Sequence, residues 1–340
     1  MSTALPIAPG ALTGVREEQR RAGSGFELVG PQWLAQLLDG GASTPKPILL
    51  EAHFSSFDHP LDPDRPPKRH IPGAIQIHPS YLEAGVRQEK YYPFYECPDD
   101  GNIQLGPHLI ELLERLGIAP DSHVVIYGTE PDGAMAAARL AWGLLYAGVA
   151  RVSVLDGGLD SWISDGGATA NSVKTVSDVL KTPQSTPLPT KWSFRPEYLA
   201  ITADVREMVR SGGSRQSRLV DVRRRGEWDG TLTNYYRFYS QAGHIPTAVH
   251  QGNWDNFLDA QTNQLGPHLD AVAARWRRQG IIDAGVEAGE TTLVFYCGTG
   301  WRSSIAFLVA HLLGFRARNY DDGFYGWSWD EANEVATGEQ

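Results

Sequence analysis

The run Leu293-Val294-Phe295-Tyr296 is short, apolar throughout and stopped by glycines, a pattern that predicts a strand buried on both faces. Beyond a six-residue loop the spacing changes. Ile305, Leu308, Val309 and Leu312 recur at helical intervals, and Gly314 stands where a helix is capped. Upstream, Arg218 to Val222 reads as a strand and Leu269 to Gln279 as a helix. Strands alternating with helices imply an α/β fold, a parallel sheet with helices on both faces, and chemistry at the carboxyl ends of the strands.

The pattern occurs twice. Gln104-Leu105-Gly106-Pro107-His108-Leu109 returns unchanged at 264–269, and His70-Ile71-Pro72-Gly73-Ala74 returns as His244-Ile245-Pro246-Thr247-Ala248. Asp156 to Trp162 matches Asp321 to Trp327, and the strand Val124-Val125-Ile126-Tyr127 lies over Leu293 to Tyr296. The four pairs keep their order, with offsets from 160 to 174 residues. Two copies of one fold follow: an arm over 1–24, a first domain over 25–167, a linker over 168–195 and a second domain over 196–340.

The candidate chemistry lies between the strand and helix of the second copy, in Cys297-Gly298-Thr299-Gly300-Trp301-Arg302. A cysteine at a helix start faces backbone N–H groups and the positive end of the helix dipole, which favour its thiolate. Gly298 and Gly300 let the backbone curl into an anion nest, and Arg302 adds a positive charge. The first copy has Gly128 in place of Cys297, followed by Thr129-Glu130-Pro131-Asp132. With no thiol and two acids there, it is expected to be catalytically silent, walling and stiffening the active half.

Composition narrows the partners. A formal charge of −10 argues against nucleic acid or an anionic membrane. Two cysteines, Cys97 and Cys297, make no disulfide framework and fit a reducing compartment. No apolar run is long enough to span a bilayer, and the start lacks a signal-peptide pattern. A cytoplasmic monomer is expected. Cys97 sits among acids that disfavour a thiolate, and is read as a bystander.

These residues resemble the tandem-domain rhodaneses, the thiosulfate and 3-mercaptopyruvate sulfurtransferases, over about Phe26 to Trp329. The marks are the acidic strand ends Glu51 and Asp221, the His-Ile-Pro loops, the Asp-Gly-Gly…Trp motif and a cysteine loop in the second copy alone. The loop wording looks most like multi-domain bacterial rhodaneses, and its Cys-Gly-Thr-Gly start is similar to the Cys-Gly-Ser-Gly of mercaptopyruvate enzymes. The resemblance implies two rhodanese-like domains and a Cys297 persulfide. That persulfide, held by residues 298–302, passes sulfur from a small anionic donor to cyanide, a thiol or a protein, with no metal or organic cofactor. It also suggests an auxiliary role for His70, with Asp58, Asp62 and Asp64 as candidate acids, while Asp221 and Arg223 are auxiliaries by position, Arg223 with Arg224 and Arg225 as cations alternative to Arg302. Asp221 is read as orienting backbone, and His70 equally as a structural loop histidine, because His244 repeats it.

Two positions depart from the family pattern. Glu227 stands where an arginine is usual, and Arg302 where the two-domain enzymes carry threonine. The expectation is that Arg302 supplies the missing cation and meets the donor. Two other classes compete: a cysteine-loop phosphatase, which needs five residues rather than four between cysteine and arginine, and a non-enzymatic rhodanese-like module, which would lack the cysteine.

Overall fold

A computed structural model describes residues 25–40, 46–54, 69–83, 102–103, 106–130, 132–182, 191–213, 216–232, 241–282 and 290–338. The first half runs β1 (Phe26–Val29), α1 (Pro31–Asp39), β2 (Ile48–His53), β3 (Ile75–Ile77), α2 (Pro107–Arg115), β4 (His123–Thr129), α3 (Gly133–Ala147), β5 (Arg151–Leu155), α4 (Gly158–Ser164), β6 (Lys174–Thr175) and α5 (Val176–Lys181). The second runs β7 (Leu199–Ala200), α6 (Thr202–Arg210), β8 (Ser217–Asp221), α7 (Arg225–Asp229), β9 (Val249–His250), α8 (Leu269–Arg278), β10 (Thr292–Tyr296), α9 (Trp301–Leu312), β11 (Arg316–Tyr320) and α10 (Gly323–Trp329).

Both sheets are parallel. The first is ordered β1-β5-β4-β2-β3-β6 and the second β7-β11-β10-β8-β9, so the repeat in sequence is a repeat in topology. Strand alternation sorts the core. Val124 and Ile126 face one layer, Val125 and Tyr127 the other. In the second sheet Leu293 and Phe295 turn inward to a core shared by both halves, while Val294 and Tyr296 pack on the opposite face. That shared core holds α3 and α9 together across the domain boundary. The central strands β4 and β10 are thus covered on both sides, as an unbroken apolar run requires.

One expected boundary shifts. Within the segment read as linker, Ala170 pairs with His70 and β6 pairs with β3, with α5 packed beside it. The first domain thus extends to about residue 181. Thr175 caps α5 with Asp178 in a reciprocal capping box, a signal in Thr-x-x-Asp that the Ser/Thr/Pro-containing surroundings obscure.

The halves also exchange matching contacts. Asp156, opening the Asp-Gly-Gly motif of the first half, accepts from the N–H groups of Leu265 at 2.6 Å and Gly266 at 3.0 Å. Asp321, its counterpart, accepts from Ile103 N at 2.7 Å, next to the first copy of the same hexapeptide. Each acidic turn thus docks onto the other half's loop. Among the described residues no helix is long and apolar enough to cross a membrane.

Candidate functional site

Cys297 follows the last residue of β10, is 1% exposed, and precedes α9 by three residues. Gly300 makes the turn into the helix at φ +78°, and a side chain there would bring its Cβ to 2.3 Å from Asp321 Oδ1. Ser303, in the first turn of α9, places Oγ 3.6 Å from Cys297 Sγ and 2.6 Å from Asn319 Oδ1.

Three of the loop carbonyls are held from outside. Cys297 O accepts from Phe324 N at 2.8 Å and Gly298 O from Tyr325 N at 3.0 Å. Gly300 O accepts from Ser304 Oγ at 2.8 Å, Asn319 Nδ2 at 3.0 Å and Arg139 Nη1 at 3.4 Å. In a trans peptide the next residue's N–H points opposite to the carbonyl. Fixing these oxygens therefore turns the N–H groups of Gly298, Thr299 and Trp301 away from their anchors. The N–H groups of Gly298, Thr299 and Gly300 donate to no acceptor among the described residues. Backbone N–H groups left without an acceptor in a curled loop have the chemistry to bind an anion.

Arg302 is placed otherwise than expected. Its guanidinium grips Glu227 with both arms, Nη1 to Oε2 at 2.7 Å and Nη2 to Oε1 at 3.0 Å, and both residues are buried. Burial by itself would raise the Glu227 carboxyl; the charge and hydrogen bonds of Arg302, with Arg223 behind, outweigh it and hold the carboxyl below its usual range. The two departures from the family pattern thus answer each other, and the fork of Arg302 is committed to Glu227 rather than turned to a donor.

Asp221 and Arg223 also pair with each other. Arg223 Nη2 lies 2.6 Å from Asp221 Oδ2, donates to Gly243 O at 2.8 Å, and stacks its guanidinium 4.1 Å from the Phe324 ring centroid. They brace the second domain beneath α10. His70 lies in the core of the first domain, Nδ1 2.8 Å from Glu51 Oε2, with Gln76 and Tyr127 donating to the same carboxylate. Its hydrogen bonds run to Glu51 and Ala170, so the structure does not bring it to the cysteine loop. Cys97, Asp58, Asp62 and Asp64 lie outside the described residues.

The first half instead reaches the loop through residues that sequence reading missed. Trp301 is 6% exposed and wedged against Phe54 and His78, with ring centroids 5.1 and 5.6 Å away. It walls the site rather than standing open to a donor. Arg139 of α3 touches Gly300 and Asp321, and Glu83 receives hydrogen bonds from Arg139 and Trp301. One signal was legible: Arg139 is the only charge in the apolar run of α3.

The first copy is closed sterically at the matching position. A Cβ at Gly128 would stand 2.1 Å from Gly133 O, so no cysteine fits that backbone. A cavity of about 20 Å³ remains there, about the room of one water. Burial and neighbouring acids raise the Glu130 carboxyl beside it.

Comparison with known proteins agrees with this geometry. The rhodanese-like domain matches twice, over residues 31–165 and 202–329. The chain belongs to the rhodanese family. It is 31% identical over 333 residues to the thiosulfate sulfurtransferase YnjE of Escherichia coli, covering 92% of this chain but 66% of that protein's length. It is 26% identical to human 3-mercaptopyruvate sulfurtransferase, over 89% of this chain and 91% of the relative. In structure it resembles the anaerobic ergothioneine biosynthesis enzyme from Chlorobium limicola, solved in complex with trimethyl histidine, with TM-score 0.69, 29% identity, and 92% and 70% of the two chains covered. This rhodanese thus spans about two thirds of the length of YnjE and nearly the whole of the human relative.

Proposed function

We propose that the protein is a sulfurtransferase that carries sulfane sulfur on Cys297. The observation that supports this most is the loop around that cysteine, where the carbonyls of Cys297, Gly298 and Gly300 are anchored outward and the N–H groups of Gly298, Thr299 and Gly300 are left for an anion. A thiolate held there attacks the outer sulfur of the donor. With 3-mercaptopyruvate the new S–S bond forms as the C–S bond breaks, and the electron pair leaves as the enolate of pyruvate, which takes a proton. With thiosulfate the donor's S–S bond breaks and sulfite leaves. A thiophilic acceptor then attacks the persulfide's outer sulfur and returns the Cys297 thiolate.

With Arg302 committed to Glu227, backbone N–H groups and the helix dipole carry most of the donor's charge. Such a site suits a small monoanion better than a dianion, which supports 3-mercaptopyruvate over thiosulfate. The aromatic wall of Phe54, His78 and Trp301 supports testing trimethyl histidine as an acceptor beside cyanide and thiols. The same Arg302 pairing weighs against phosphatase chemistry, because the arginine that would clamp a phosphate is engaged. Having only two cysteines supports the cytoplasm as its compartment.

Mass spectrometry after mixing with each donor tests the reading. One added sulfur on the Cys297 peptide is expected, removable by cyanide. A protein that gains no sulfur from either donor, or gains it elsewhere, would refute the assignment.

A further inference from the structure

We infer that Arg139, on a helix of the half without the cysteine, is a positioning residue for the Cys297 loop, holding the buried carboxylate of Asp321 in check beside it. The inference rests on the reading of Cys297 as the reactive residue.

Arg139 is 1% exposed, in a helix otherwise built of apolar and glycine residues. A lone cation in such a place is costly unless every arm is answered, and here the answers lie across the domain boundary. Nη1 bonds Asp321 Oδ1 and reaches Gly300 O, while Nε and Nη2 lie 3.1 and 3.0 Å from Glu83 Oε1. The guanidinium also sits between the rings of Trp142 and Trp301, 4.8 and 6.0 Å from their centroids. Two consecutive residues of the loop, Gly300 and Trp301, are thus touched by one side chain from the other domain.

Electrostatics makes the contact more than a brace. Asp321 is 2% exposed, and its Oδ1 is packed so closely on Gly300 that a Cβ there would meet it at 2.3 Å. A bare carboxylate at that position would repel a thiolate or a donor anion in the nest at short range and low dielectric. The Ile103 N–H and Arg139 are what offset it. Glu83, on the far side of the guanidinium, is held in its neutral form by burial up to about pH 8 despite the pull of Arg139. This leaves Arg139 to balance Asp321 alone at neutral pH. The half without the reactive cysteine therefore supplies the cation that keeps the anion site of the other half from being spoiled by its own acid.

The test uses the full chain with Arg139→Met, Arg139→Lys and Arg139→Met/Asp321→Asn. Two rates are measured on folded protein well below its melting temperature: alkylation of Cys297 by iodoacetamide, followed by peptide mass, and sulfur uptake from 3-mercaptopyruvate. Arg139→Met should slow both at least tenfold. The double variant, with neither charge present, should recover most of the loss. Arg139→Lys should recover only part, since one ammonium cannot hold Asp321, Glu83 and the Gly300 carbonyl together. Parent rates in a folded Arg139→Met protein, whatever its melting temperature, would overturn the inference. If that variant does not fold, Arg139→Lys decides: parent rates there would overturn it equally. A parent enzyme that takes no sulfur, but whose Cys297 alkylation slows in Arg139→Met, would refute the sulfur-transfer reading and leave this one standing.

Discussion

Arg302 and Glu227 meet as a two-pronged pair, 2.7 and 3.0 Å between their nitrogens and oxygens, with neither residue more than 4% exposed. The pair joins the first turn of α9 to α7. It fixes the end of the cysteine loop and removes one cation from the list of donor contacts.

Breaking one side of this pair should cost stability before it costs affinity. Arg302→Ala leaves a buried carboxylate, a change worth about 3–5 kcal/mol where a partner is removed from a buried pair. Arg302→Ala/Glu227→Ala should be less destabilised than Arg302→Ala alone, because the stranded charge is gone. Urea unfolding of the single and double variants measures this. A stable Arg302→Ala protein with a strongly raised KM for anionic donors would return Arg302 to the donor.

Cys297→Ser should abolish sulfur uptake. An alkoxide is not accessible at neutral pH, and an oxygen cannot carry the sulfane sulfur. Cys97→Ser should leave uptake nearly intact. Single-turnover assays with intact-mass readout compare the two, and retained turnover in Cys297→Ser would end the mechanism.

Placing a cysteine at the matching position of the first half should fail. In Gly128→Cys the new Cβ would meet backbone at 2.1 Å, with Gly133 unable to retreat without moving α3. Overpacking of this kind costs typically about 1–3 kcal/mol, occasionally more. A lowered melting temperature is expected with a single sulfur per chain, still on Cys297. A variant that melts like the parent and takes up two sulfurs would show that the closure is not steric.

Stability should depend on pH through two groups at the domain boundary, with opposite signs. Burial lifts the Glu83 carboxyl from 4.5 to about 8, partly offset by Arg139. Burial, with His53 beside it, lowers His78 from 6.5 to about 3. Between 4.5 and about 8 the folded chain keeps a proton on Glu83 that the unfolded chain has lost, so this contribution drains away as pH rises. Between 6.5 and about 3 the unfolded chain takes a proton that His78 refuses when folded, so that contribution drains as pH falls. Melting temperatures across pH should show Glu83→Gln flattening the decline from 6.5 to 8, and His78→Gln flattening the decline below 6.5. Slopes identical to the parent would mean both groups titrate as exposed ones do.

The strand–loop–helix around Cys297, the repeated architecture and the missing thiol at Gly128 were all legible in the sequence, because each is local. An apolar run of strand length, a change to helical spacing and a glycine between them depend on neighbours in the chain, and self-similarity reveals the second copy without any contact being known. Tertiary structure alone decided which charges meet. Arg302 finds Glu227 across 75 residues, and Arg139 reaches Gly300 across 161. His70 turns to Glu51 in its own domain rather than toward the loop. Such partners are selected when packed sheets and helices exclude water and every buried charge must find an opposite within reach. The sequence therefore specified the Cys297 loop and its frame. Packing chose the arginines' partners: within the second half it set Arg302 against Glu227, and across the two halves it brought Arg139 to the loop.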